Sequence, residues 1–482
     1  MAAAVEPLVP PKDARVRAAP FIERAVGDLR HPTGIVPPAR DLRHLPGESG
    51  LIVGLKNLAG RKREGAAYVT AQARRYGPVF RSAVAHYPVV CVADAELVGA
   101  MARNEDQLWS APLAYGTIFG GIDPDARGAQ SPLSFDFDTH REVRRYLQPA
   151  FSPAAMSGYL ETASEVYERA VDGWVARGQV ALKPAVRRLF ADVASRIFTG
   201  IDDPGEAAML DRALADFWKS PQAVIKNPWI SRTWRNGVRG LRTLNETFRA
   251  RVEARRSGPD ANDLFTRMCK TGGDDLPYLD DTTLVGLFVG VMGAAFDTTS
   301  LATASMGYLL AKHPAWQERL RAESKTIGRR RLTIDDARAL EEHEWVWRET
   351  LRLYPVAINI PRFSLREVEL RGHRIPAATF VLGLIGAVMR DATWWTDPDS
   401  FDPARFSPAR AEDKRHKGAF LPFGGGPHVC IGMQLAGLEA KAFWYTLLQR
   451  CRIRLARDYE AHHEAVPLGS VSGSVELVLE PI

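Results

Sequence analysis

Cysteine is scarce in this chain: there are four in 482 residues, Cys91, Cys269, Cys430 and Cys451, and none falls in CxxC spacing. That pattern excludes a disulfide-stapled scaffold and a cysteine-held zinc site, and it fits a reducing cytoplasm. No leader is expected either. The opening MAAAVEPLVPPKDARVRAAP has no apolar core of signal-peptide length and no run of ~20 apolar residues for an anchor. A cytoplasmic protein without a membrane anchor is expected. A charge excess is nearly absent, with 63 basic against 57 acidic residues and a net charge of +6. That is too weak to argue for nucleic acid, while a local basic face for an acidic protein partner stays compatible. There is no internal repeat, no low-complexity tract and no linker. The chain reads as a single interwoven domain, and a monomer is expected.

What is present is an ordinary globular balance, 46% apolar and 25% charged, enough for a large core. Residues 1–50 are rich in Pro, Gly and Arg and read as an irregular lead-in; residues 51–482 read as one catalytic unit. Helical spacing is clear from Lys62 to Arg75. Two β-type runs follow in VFRSAVAHYPVVCVADAEL, with the turn expected at His86-Tyr87-Pro88. Residues 107–134 lack a period and read as a long loop. From Asp138 to Leu353 the pattern is almost wholly helical, as in SGYLETASEVYERAVDGW. Strands are predicted around VELRGHRIPAATFVLG, then a last helix from Ile431 to Arg450, then strands again. The fold class is mainly α with small β regions (α+β).

Three segments carry chemistry. Phe423-Gly-Gly-Gly-Pro-His-Val-Cys430-Ile-Gly432 is a tight glycine turn that can approach a flat ligand closely. Cys430 stands where a helix begins, and backbone N–H groups there favour a thiolate. A buried inert thiol is the commoner fate of a lone cysteine, and the glycines do not follow the GxGxxG dinucleotide spacing. The apolar stretch from Thr282 to Lys312 predicts one long helix with Asp297, Thr298, Thr299 and Ser300 at its middle. An acid beside a hydroxyl at such a place is costly unless it is used, and a proton relay is one use. Finally, Glu349 and Arg352 in RETLRLYP share a helical face and can pair.

Phe423, Gly426, His428, Cys430 and Gly432 match Phe-x-x-Gly-x-His/Arg-x-Cys-x-Gly, and in this the chain resembles the cytochromes P450. The resemblance runs from about Tyr76 to the C-terminus. It implies the P450 fold, haem b as cofactor, and Cys430 as the metal ligand with Phe423 packed beneath the haem. It implies that His140, Arg144, Arg362 and His428 bind propionates, His428 standing where arginine is usual. Glu349, Arg352 and Arg405 would form the structural triad. Asp297 and Thr298 would deliver protons, although Ala295 replaces the family's usual glycine.

The implied activity is insertion of one oxygen atom from O2 into a lipophilic molecule of terpenoid, steroid or fatty-acid type. Electrons would come from NAD(P)H through a separate reductase and a ferredoxin or flavodoxin, docking on Arg141, Arg145, Lys414, Arg415 and Lys417. Substrate contacts are expected from 107–134, Phe217, Trp218, Val291 to Ala295, Val356 to Ile360 and Ser470 to Ser472. The cysteine loop is similar to the sterol-demethylase and retinoid-hydroxylase branches, but Phe296-Asp297-Thr298-Thr299 lacks the paired histidines of sterol demethylases. Two other functions compete: a peroxide-driven or isomerising haem-thiolate enzyme, and a haem-based sensor or binding protein.

Overall fold

The computed structural model describes residues 41–84, 87–119, 130–220, 223, 227–271 and 280–482. Most of the lead-in, residues 1–40, therefore lies outside the described residues. The rest of it is irregular but anchored, with Leu42 and Leu45 each 3% exposed and Pro46 O accepting from Arg81 N at 2.8 Å.

Helix α1 (Leu51–Tyr76) starts eleven residues before the expected Lys62 and breaks at Gly65, whose φ is +50°. Its first three turns bury Gly54, Asn57 and Gly60 and expose Leu51, Ile52, Leu55 and Leu58. This reverses the usual amphipathic pattern, so helical periodicity could not be read there. Strands β1 (Val79–Val84) and β2 (Tyr87–Val92) follow. Tyr87 and Pro88 belong to β2 and not to the expected turn, because both pair in register, with Val84 and Ala83.

After α2 (Ala95–Arg103), the described part of the expected loop at 107–134 is largely structured. It holds β3 (Trp109–Ser110), α3 (Ala111–Phe119) and a short 3-10 turn, Pro132–Ser134. Pro112 and Gly116 hid α3 in the sequence because both read as loop residues, yet Pro112 falls in the first turn, where proline is tolerated, and Ala111 and Ala114 are fully buried.

The helical body contains α4 (Phe137–Leu147), α5 (Leu182–Ala194), α6 (Pro204–Lys219), α7 (Asp281–Lys312) and α8 (Glu341–Leu353). Helix α7 is long and apolar enough to cross a bilayer, but it is packed as the central core helix. It touches α5, α8, the helix Arg232–Arg249 and two C-terminal strands. A helix apolar all round belongs in such a place. Asp280 caps it by accepting from Thr283 N at 2.8 Å.

Strands β4 (Ile360–Ser364) and β5 (Phe380–Gly383) complete a five-stranded sheet of order β1-β2-β5-β4-β3, with β2 and β5 parallel and the other pairs antiparallel. One face packs Val79, Val90, Ile360 and Val381 against Val98 of α2; the other packs Phe80, Cys91, Phe363 and Phe380 against Ala66 and Val69 of α1. Burial on both faces explains the unbroken apolar runs of β2 and β5. Helix α9 (Met433–Leu448) and the strands Cys451–Leu455 and Glu476–Pro481 close the chain. The helix-rich unit with small sheets is the expected class.

Candidate active site

The cysteine loop turns on Gly426, whose φ is +62° and where a Cβ would fall 2.2 Å from the Ala102 carbonyl oxygen of α2. Only glycine allows that approach. The turn is closed by Cys430 N donating to Phe423 O at 3.0 Å. Cys430 is exposed, while Phe423 is half-buried against the main core. Desolvation holds the thiol above its ordinary value even so; the N–H groups of Gly432 and Met433 and the Arg144 guanidinium pull the other way. An accessible sulfur that is also desolvated lies on the wall of an interior cleft, not on the outer surface. Against expectation, burial outweighs the helix N–H groups. A bound metal cation would deprotonate a thiol that coordinates it.

Four predicted residues gather beside it. From α4, Arg144 donates from Nη1 to Val429 O at 2.9 Å, fixing the backbone next to Cys430. The rings of His140 and His428 lie 4.0 Å apart. Burial, then His428 and Arg144, drives the His140 imidazole down to about 3, so it stays neutral. Arg362, on β4, is 3% exposed, and desolvation lowers its pKa.

Two residues of this cluster escaped sequence reasoning. Asp136 sits 3.4 Å from His428 Nε2 and accepts from Ala111 N at 3.2 Å. Tyr115, on α3, interacts electrostatically with both Arg362 and Cys430. Asp136 offered one signal, its place just before a helix; Tyr115 offered none.

The cluster fits haem on its own chemistry. His140 Nε2, His428 Nδ1 and Arg362 Nε are sealed from solvent with no hydrogen-bond partner. Each such group costs about 1–3 kcal/mol if left unsatisfied. A porphyrin edge bearing two carboxylates would answer all three and the two arginines, and Cys430, the only accessible cysteine, is the one that would hold iron. Held there, haem would supply the oxygen chemistry.

On α7, Thr298 donates to Ala294 O at 2.9 Å, and Ala294 is exposed where the preceding turns are buried. Asp297 does not meet Thr298. It accepts from Arg187 Nε of α5 at 2.8 Å. Asp211 of α6 joins this group: burial raises its carboxyl, with Arg187 opposing and Asp297 reinforcing, and its Oδ1 is sealed without a partner. Neither Arg187 nor Asp211 carried a sequence signal.

Several expected substrate segments converge on α7. A Cβ at Gly293 would strike Trp218 at 2.0 Å, and Gln130 N donates to Gly286 O at 3.1 Å. Val471 N donates to Ser305 at 3.0 Å, and Gly469 N to Val356 O at 2.7 Å. Residues 120–129 of the predicted loop, and the side chain of Phe296, lie outside the described residues. The triad is complete and fully buried. Arg352 donates to Glu349 at 2.7 and 2.9 Å, Arg405 to Glu349 at 3.1 Å, and Glu412 pairs with Arg405 at 2.9 Å.

A buried-triad helical fold carrying an accessible cysteine among orphaned propionate donors defines a haem-thiolate protein. The family model for cytochrome P450 matches residues 45–472, and the chain belongs to that family. A putative cytochrome P450 136 of Mycobacterium tuberculosis is 34% identical, covering 92% of this chain and 90% of its own. Cyclooctat-9-en-7-ol 5-monooxygenase of Streptomyces melanosporofaciens is 31% identical over 66% of this chain and 71% of its own. The solved structure of retinoic-acid-bound cyanobacterial CYP120A1 has the same fold, with a TM-score of 0.81 and 20% identity over 91% of this chain and 99% of that one. The protein is a P450 monooxygenase with a haem cofactor.

Proposed function

We propose that this monooxygenase inserts one atom of O2 into a lipophilic molecule of terpenoid, steroid or fatty-acid type, drawing electrons from NAD(P)H through a separate reductase and a ferredoxin or flavodoxin. The observation that carries this reading is the accessible Cys430 thiol among the unsatisfied nitrogens of His140, His428 and Arg362. In this reading Cys430 ligates the iron of haem b, Phe423 and Gly426 shape its seat, and His140, Arg144, Arg362 and His428 hold the propionates. Thr298 holds a hydroxyl at the cleft, and Asp297, when released from Arg187, brings a proton in from the α5–α6 side.

The relatives' substrates support the lipophilic class: one is a monooxygenase of cyclooctat-9-en-7-ol, and the other has retinoic acid bound. The exposed Arg141, Arg145, Lys414, Arg415 and Lys417 support docking of an acidic electron carrier. Four free cysteines support a reducing cytoplasm. Purified protein should hydroxylate a lipophilic substrate with NADH, reductase and ferredoxin, and much less with peroxide alone. Peroxide-only turnover would favour the peroxide-driven alternative, and turnover with neither would leave a binding protein.

A further inference from the structure

A buried arginine without a carboxylate marked the cofactor site, and the same signature recurs at one place that haem does not explain. Among the described residues, desolvation lowers four arginines: Arg61, Arg144, Arg362 and Arg390. Arg390 is answered by Asp399 at 2.5 Å, and Arg144 and Arg362 flank Cys430. Arg61 remains.

It projects from α1 half-buried, and its Nε is sealed without an acceptor. The ionisable groups that interact with it are both neutral, the Cys91 thiol and the Tyr68 phenol. Asn359, with its amide set to satisfy both neighbours, donates to Ile358 O at 3.2 Å and accepts from Arg61 Nη1 at 3.1 Å. That leaves Nε facing no acceptor, on the edge it shares with Nη2. Arg352 uses this edge to grip Glu349, and Arg319 to grip Glu342; it is the fork that takes a carboxylate bidentately. The neighbours that face Arg61 carry no charge: the Cys91 thiol, the Tyr68 phenol and the Asn359 amide. A cation in such a place is costly unless a counter-ion arrives.

We propose that Arg61 anchors the carboxylate of the substrate, so that this enzyme oxidises a lipophilic carboxylic acid at a carbon remote from its acid group. This rests on the monooxygenase reading above and narrows its substrate class. One arginine and one neutral amide balance a single negative charge, which suits a carboxylate better than a phosphate dianion. The position fits as well. Asn359 lies three residues before Arg362 in an extended run, so the anchor is about 10 Å along the chain from a residue at the haem edge. It also adjoins Val356 to Ile360, a segment bonded to the Gly469 turn beside α7.

The test titrates the haem-loaded protein with retinoic acid, dodecanoic acid and the methyl ester of each, following the spin-state shift, and repeats this with Arg61→Met. Wild type should bind an acid about tenfold or more tightly than its ester. Arg61→Met should lose that preference, leave ester affinity unchanged, and keep or raise the melting temperature without ligand, since it removes an unpaired cation. Equal affinity for acid and ester in wild type would overturn the proposal. So would a failure of both acids to shift the spectrum, an equal loss of acid and ester in the variant, or a lower melting temperature without ligand. The carbon monoxide spectrum of the same samples reports separately on the monooxygenase reading, whose thiolate band would be missing if that reading were wrong.

Discussion

Arg187 donates from Nε to Asp297 at 2.8 Å, tying α5 to the middle of α7. Both side chains are only part-buried, 39% and 32% exposed. Solvent therefore screens the pair, and its net strength is modest. A weak pair can open and carry a proton where a buried one would stay locked.

Asp297→Asn should slow product formation about 10²-fold with substrate affinity unchanged and a larger solvent isotope effect. Thr298→Ala should keep its haem and divert electrons to peroxide. Steady-state coupling assays check both, and full coupling in Thr298→Ala would remove the hydroxyl from the relay.

Glu349 lies between Arg352 and Arg405, all fully buried. Glu349→Gln leaves Arg352 without a carboxylate, and removing one partner of such a pair costs about 3–5 kcal/mol. Urea unfolding should show that loss together with poor haem retention. A change below ~1 kcal/mol would mean that the surrounding carbonyls suffice.

His463 joins α1 to the C-terminal strands. Its Nδ1 accepts from Ala66 N at 3.0 Å and its Nε2 lies 3.1 Å from Pro355 O, so a neutral ring satisfies both. Burial, with Arg390 adding to it, drives the ring down to about 3, against an unfolded value of about 6.5. Between those values the unfolded chain binds the extra proton. Stability therefore rises with pH across that window and is lost as pH falls through it. His463→Gln should cost about 1–3 kcal/mol at neutral pH and flatten the acid limb of a stability–pH curve. An unchanged acid limb would contradict this.

Arg141 and Arg145 leave α4 on its exposed side, while Arg144 and His140 turn inward. Reversing the charge at Arg141 and Arg145 should lower the rate of electron delivery about tenfold at low salt and weaken its salt dependence. Stopped-flow reduction measures it; unchanged rates would move the docking face elsewhere.

The cysteine loop was legible as a candidate haem seat because its parts are contiguous: Phe423 to Gly432 carries its pattern in ten residues. Glu349 and Arg352 were legible through helical spacing, and α7 through its composition. Arg187 was not, because 110 residues separate it from Asp297 and nothing local marks an arginine that answers a distant acid. The start of α1 was hidden by its outward apolar face, and α3 by Pro112 and Gly116. Arg61 is the same case as Arg187 with the partner left out: only the packed structure shows that, among the described residues, no carboxylate comes to it.

Ligation of iron by Cys430 is tested most directly by the carbon monoxide difference spectrum of the reduced protein, wild type against Cys430→Ser. The wild type should take up haem and show the red-shifted band of a thiolate-bound complex, and the variant should lose that band. A wild type that binds no haem, or a variant whose band is unchanged, would contradict it.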